Sequence, residues 1–130
     1  MNHVYTYLTM FEHLKNVPKP SAEESSSQYY EQRACFSIDL GRCSGKTIAL
    51  HKIIMENPDS KFLLVSPLRN RMLYSCVFNK VNINNNLKQT TIQNYNADYP
   101  SFRNFDYILF DECYPKNIVA PSFIVGYHNL

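Results

Sequence analysis

The sequence predicts an α/β protein in three layers, with a mainly parallel sheet of about four or five strands flanked by helices and reduced in size. Three observations carry that expectation. A β-prone run from Cys35 to Ile38 enters a glycine-bounded turn, Gly41 to Gly45, which opens an apolar helical stretch. A second apolar run, Lys61 to Ser66, follows that helix, and strand–helix–strand implies a right-handed crossover between parallel strands. A third run, Phe105 to Glu112, reads F-D-Y-I-L-F-D-E, the pattern of a strand buried on both faces and closed by two acids.

At 130 residues the chain is expected to form one domain, with a helical segment and linker at 1–33 ahead of a core at 34–130. An apolar fraction of 45% suits a globular protein, and a net charge of +2 is too small to announce a nucleic-acid partner. The four cysteines, Cys35, Cys43, Cys76 and Cys113, form no C-x-x-C pair and have no histidine at metal-ligand spacing. Cys35 and Cys113 lie in or beside strands and read as reduced core thiols. There is no apolar run of membrane-spanning length, and His3, Glu12 and His13 break any signal-peptide pattern, so a cytosolic location and no membrane partner are expected.

In chain order, Val4, Tyr7, Leu8, Phe11 and Leu14 fall at helical spacing, and Pro18 and Pro20 end that helix. The polar, serine-rich stretch to Ser27 reads as a linker, within which Ser21 and Glu24 match a capping box for a short helix through Tyr30. Tyr29 and Tyr30 read as core packing, with contact to an adenine ring as the alternative. After the glycine turn, a helix is expected from Thr47 to Asn57 with Ile48, Leu50, Ile53 and Ile54 as its apolar residues, broken by Asn57-Pro58-Asp59-Ser60. Pro67 fits the first turn of a helix running to about Phe78. Val81 to Leu87 is asparagine-rich and reads as a loop, Gln89 to Asn94 as a short strand, Cys113 to Asn117 as a loop, and Ser122 to Val125 as the last strand.

The chemistry concentrates at two places. Strand, glycine loop and helix in that order form the layout of a phosphate-binding P-loop. Gly41 and Gly45 let the backbone adopt positive φ and approach an anion closely. The amides at the helix start add partial positive charge, Lys46 suits the β- and γ-phosphates, and the Thr47 hydroxyl suits Mg²⁺. Three residues separate the glycines where the usual pattern has four; a plain turn is the bland reading. At the end of the third strand, Asp111 is placed to hold Mg²⁺ and Glu112 to polarise an attacking water. There the bland reading is a strand emerging into solvent at a charged end. Two such motifs in this order point to binding of ATP. Lys46 is expected to be reachable by solvent, because an unpaired buried ammonium is costly.

The stretch Gly41-Arg42-Cys43-Ser44-Gly45-Lys46-Thr47 resembles the deviant Walker A motif of viral large terminases, the DNA-packaging motor ATPases, roughly x-R-Q-x-G-K-T. Arg42 matches the family's arginine and Cys43 stands where glutamine is usual. Phe110-Asp111-Glu112-Cys113, followed by Pro115 and Asn117, is similar to the family's hydrophobic-D-E-C-A stretch, and Ser66-Pro67 also fits. The resemblance spans roughly Ala34 to Val125. It implies an ASCE-type P-loop ATPase with Mg²⁺ as cofactor and ATP as substrate. Residues 41–47 would bind nucleotide, Thr47 and Asp111 would hold Mg²⁺, and Glu112, Lys46 and Arg42 would be catalytic. It also implies double-stranded DNA as partner, assembly into a homo-oligomer or larger viral complex, and a place in the host-cell cytoplasm or the virion. A complete terminase subunit carries a nuclease domain after the ATPase, and no stretch of these 130 residues is expected to form one. Gly126-Tyr127-His128-Asn129 stands where a Ser/Thr-containing coupling motif belongs, with His128 or Asn129 as a substitute γ-phosphate sensor or the whole as a plain tail. A minimal or truncated ATPase, or one that has lost turnover, is therefore expected.

The leading expectation is an ATPase of terminase or helicase type acting in DNA packaging or translocation. The alternative is a nucleotide-binding accessory protein with weak or no hydrolysis. A small-molecule kinase is disfavoured, since no arginine follows Glu112 to build a lid. Arg42 is the candidate arginine finger in cis; Arg69, Arg71 and Arg103 are candidates in trans, or ordinary surface charge.

Overall fold

The computed structural model describes residues 3–18, 26–41, 44–67, 78 and 84–127. Helix α1 (Val4–Lys15) and helix α2 (Ser26–Arg33) precede strand β1 (Cys35–Ile38), and helix α3 (Lys46–Glu56) leads to β2 (Phe62–Ser66). Strand β3 (Leu87–Thr91) runs into helix α4 (Ile92–Ala97) and a 3-10 turn (Tyr99–Phe102), followed by β4 (Tyr107–Asp111) and β5 (Ser122–Val125). The strands form one five-stranded sheet in the order β1-β5-β4-β2-β3. Every pairing is parallel, so each strand requires a crossover before the next.

The apolar runs sit where a parallel sheet buries most. All residues of β2 and β5 are buried, as are Ile108 to Asp111 of β4, whereas the edge strands β1 and β3 carry exposed positions. One face of the sheet packs against α1 and α3 through Tyr7, Phe11, Leu14, Leu50, Ile53 and Ile54. The other face is covered by Tyr95 of α4, Phe102, Cys113 and Ala120, on Leu63, Val65, Ile108, Phe110 and Ile124. These are the three layers the sequence predicts. Helix α1 is part of this common core: the Phe11 ring lies 5.0 Å from Tyr107 and 6.0 Å from both Phe62 and Phe123.

Several boundaries differ from expectation, each for a local reason. Gln89 to Asn94 is not one strand: β3 starts at Leu87, in the expected loop, and ends at Thr91. The Thr91 side chain accepts a hydrogen bond from the Asn94 N–H at 3.2 Å and caps α4. Leu87 joins the sheet because Asn86 ties the preceding turn down, its Nδ2 donating to the Asn57 and Ser60 carbonyls. Helix α3 begins at Lys46, and its buried residues are Ala49, Leu50, Ile53 and Ile54. Ile48 is 52% exposed, because at 3.6 residues per turn it points away from the face that Leu50 and Ile53 share. Strand β4 starts at Tyr107, after Asp106 turns its carboxylate back to accept from Lys61 N at 2.7 Å. Helix α2 is described from Ser26 and runs to Arg33, past Tyr30. The expected capping box at Ser21 and Glu24, and most of the helix expected after Pro67, lie outside the described residues.

Candidate functional site

The carboxyl ends of three neighbouring strands are level. Ile38 of β1 pairs with Val125 of β5, and Val125 with Asp111 of β4. Beyond that row the backbone turns with positive φ after β4 and after β5, Glu112 at 61° and Gly126 at 69°. Glu112 N donates to the Val125 carbonyl at 2.8 Å and Gly126 N to the Ile38 carbonyl at 3.1 Å. A left-handed glutamate is uncommon and costs about 1–3 kcal/mol unless its surroundings hold it. Here the backbone bond to β5 does so.

Past β1, Asp39 Oδ1 accepts from Gly41 N at 3.1 Å, an Asx turn that starts the glycine loop. Gly41 and Gly45 both have positive φ, 83° and 86°, as the glycine spacing predicts. Gly45 is the N-cap of α3, with no side-chain cap and no acid in the first turn. The first N–H groups of α3 therefore have no capping carboxylate of their own, and the positive end of the helix dipole lies at the loop. Ser44, just before, is buried and fixed from α1. The Tyr7 hydroxyl lies 2.6 Å from Ser44 Oγ, and His3 N donates to the Ser44 carbonyl at 2.6 Å.

Loop and acids meet at Lys46. Its Nζ lies 2.8 Å from Asp111 Oδ1 and 3.3 Å from Glu112 Oε1. The Lys46 side chain is 16% exposed, Asp111 fully buried and Glu112 38% exposed. Lys46 is thus less open to solvent than expected, and it is the carboxylate pairing that makes its burial tolerable. Burial pulls the Lys46 pKa down, but the charges and hydrogen bonds of Asp111 and Glu112 outweigh it and leave the value raised. Gly126 completes the cluster: a Cβ built there would stand 2.9 Å from Lys46 Nζ, 3.1 Å from its Cδ and 3.5 Å from Glu112 Cγ. A side chain here would crowd the lysine where it passes the end of β5 to reach both acids.

Cys113 is buried below the acids, with its Sγ 3.4 Å from the Val65 carbonyl. Burial, reinforced by Asp111, pushes its thiol up to about 12, while burial with help from Glu31 raises Cys35 to about 11. Both are free cysteines, and neither is a poised nucleophile. Tyr29 is buried, its ring edge-on to Tyr30, and its hydroxyl donates to the Pro18 carbonyl. Arg103 is exposed, bonds the Pro100 carbonyl at 3.1 Å, and lies on the stretch leading into the amino end of β4, while Asp111 closes the carboxyl end. Arg42, Cys43, Arg69, Arg71, Cys76, His128 and Asn129 lie outside the described residues.

Of the expected site residues, then, Lys46, Asp111 and Glu112 are brought into contact, Gly41, Ser44 and Gly45 shape the loop beside them, and Thr47 follows Lys46 in the first turn of α3. Sequence reasoning missed Tyr7, His3 and Gly126. Gly126 carries a signal, a glycine at the end of an apolar strand; Tyr7 carries none, because its spacing is that of any core residue on α1.

The fold and this cluster define an α/β parallel-sheet protein whose polar site lies at the carboxyl edge, where such sheets place ligands. No protein-family model matches the chain, and neither the curated proteins nor the solved structures compared with it give a match. Among the described residues no helix is long and apolar enough to cross a membrane.

Proposed function

We propose that the chain is a P-loop nucleotide-binding protein that binds Mg·ATP at this cluster. The observation that carries the reading is the meeting of Lys46, at the start of α3 behind a loop with two left-handed glycines, with Asp111 and Glu112 at the end of a strand remote in sequence. The β- and γ-phosphates would lie against the loop amides and the α3 amino end, with Lys46 turning from the acids to the phosphate oxygens.

No group of three or more His, Cys, Asp or Glu residues among the described residues is arranged to hold a metal ion. Mg²⁺ keeps several waters and takes one or two protein ligands beside phosphate oxygens, so a site of two side chains would suit it. Thr47 and Asp111 would be the residues to hold it. Bound there, Mg²⁺ would neutralise charge on the transferring phosphoryl group. Glu112, 38% exposed at a left-handed turn, would orient an attacking water and take its proton.

The resemblance to terminase motifs supports a wider proposal, that hydrolysis serves DNA packaging or translocation within a homo-oligomer or larger viral assembly. Double-stranded DNA would be the partner. One observation favours the alternative of binding with weak or no hydrolysis: a Glu112 oxygen is engaged by Lys46 at 3.3 Å, so the general base is occupied until nucleotide draws the lysine away.

Calorimetric titration with Mg·ATP, and phosphate release with and without double-stranded DNA, test these readings. Parent protein should bind and folded Lys46→Ala should not; equal affinity would sink the P-loop assignment. Glu112→Gln should still bind while turnover falls about 10²-fold or more. Binding without turnover in the parent selects the accessory reading.

A further inference from the structure

We propose that α1 is a working part of the nucleotide site, with Tyr7 a positioning residue that holds Ser44, and with it the start of α3, in the position that receives phosphate. The inference rests on the nucleotide reading above and adds to it a residue far from either motif. Tyr7 and Ser44 are each only 1% exposed, and their hydroxyl oxygens are 2.6 Å apart across 37 positions of sequence. A second tie joins the same two elements, from His3 N to the Ser44 carbonyl at 2.6 Å. Ser44 is therefore gripped by side chain and backbone together, from the first turn of α1.

Ser44 is followed by Gly45, whose carbonyl accepts the first bond of α3 from Ala49 N at 2.9 Å. With Ser44 held on one side and α3 on the other, Gly45 is left as the pivot, at φ 86°. The direction in which Lys46 leaves the loop is set between those two anchors. The rest of the buried face of α1 is apolar, Phe11 and Leu14, and a phenylalanine at position 7 would fill the same space with no polar group to satisfy. A tyrosine there incurs a desolvation cost that the Ser44 contact offsets. The hydroxyl thus serves the loop, since the core does not need it.

The test uses the full chain as Tyr7→Phe, Ser44→Ala and the double variant. Mg·ATP affinity is read by calorimetry, and amide hydrogen exchange over residues 44–50 by mass spectrometry without nucleotide. Each single variant should weaken Mg·ATP about 3- to 10-fold, the share of one buried hydrogen bond, and should speed exchange in that segment while the rest of the sheet stays protected. The double variant should be no weaker than the worse single one, because the two hydroxyls act as one unit. Unchanged affinity and unchanged local exchange in Tyr7→Phe would overturn the proposal. So would faster exchange throughout the domain, which would make Tyr7 a residue of general stability, or two single effects that simply add. A parent that fails to bind Mg·ATP overturns the nucleotide reading, and Tyr7 as part of a nucleotide site with it. Normal binding in the parent, its loss in Lys46→Ala and no effect of Tyr7→Phe overturn the α1 proposal alone.

Discussion

Replacing Gly126 by alanine puts a methyl group into the contact that joins the loop to the acids. Two costs arise, and they can be separated. The backbone at Gly126 has φ 69°, and a left-handed conformation costs an L-residue about 1–2 kcal/mol. The added Cβ would also stand 2.9 Å from Lys46 Nζ and 3.1 Å from its Cδ. The ammonium is the mobile end of a flexible chain, so the clash is relieved by pushing Lys46 off Asp111, from which it now lies 2.8 Å. Loss of a hydrogen bond between charged groups costs about 1.5–3 kcal/mol. Gly41→Ala is the matched control: its φ is 83°, and among the described residues nothing besides its chain neighbours lies within 4 Å of its Cβ position, so it bears the backbone cost without that clash. Urea unfolding should therefore show Gly126→Ala destabilised by about 2.5–5 kcal/mol and Gly41→Ala by about 1–2 kcal/mol. The Gly41→Ala loss corresponds to a fall in Tm of about 3–8 °C for a domain of this size. Equal losses in the two variants would refute the claim that Gly126 is kept bare for the lysine.

Phe11→Ala should cost about 3–5 kcal/mol in urea unfolding, since the ring packs on Phe62, Tyr107 and Phe123; a loss below about 1 kcal/mol would mean that α1 is not part of the core. Thr91→Ala removes the cap of α4 and should cost about 1 kcal/mol, with Thr91→Ser recovering most of it. Stability should fall at both ends of the pH range. Burial lowers the His51 pKa below 6.5, so the unfolded chain binds the proton more readily, and stability falls as pH drops below 6.5 and on through the folded value. Raised thiol pKa values, Cys35 to about 11 and Cys113 to about 12 from 9.0, act in the opposite sense: the unfolded chain loses its protons first and stability falls as pH climbs from 9.0 towards those values. His51→Phe should flatten the acid limb and Cys113→Ala part of the alkaline one in denaturant titrations, and unchanged slopes would contradict the assignment.

Much of the site was legible because its residues declare themselves by type. Gly41 and Gly45 announce left-handed turns before a helix, and Lys46 follows at the helix start. The apolar strand ending in Asp111 and Glu112 is costly to bury without a cation. What could not be read was which cation. Lys46 lies 2.8 Å from Asp111 because β5 enters the sheet between β1 and β4, and because Gly126, at its end, leaves the space above it open. Strand order is set by how the connections cross the sheet, and no local pattern encodes it.

The sequence alone determined the α/β class, the parallel pairing, the closing strand at Ser122–Val125 and the two motif positions, since each follows from local periodicity, glycine conformation or the cost of burying charge. Tertiary structure decided the rest. It turned Asn94 from strand to helix through a cap at Thr91, and exposed Ile48 because Leu50 and Ile53 claimed the buried face. It also brought Tyr7 of α1 to Ser44 across 37 positions. Contacts of that separation depend on where whole helices come to rest on the sheet. That placement is fixed by the summed packing of two cores, and no short stretch of the chain contains it.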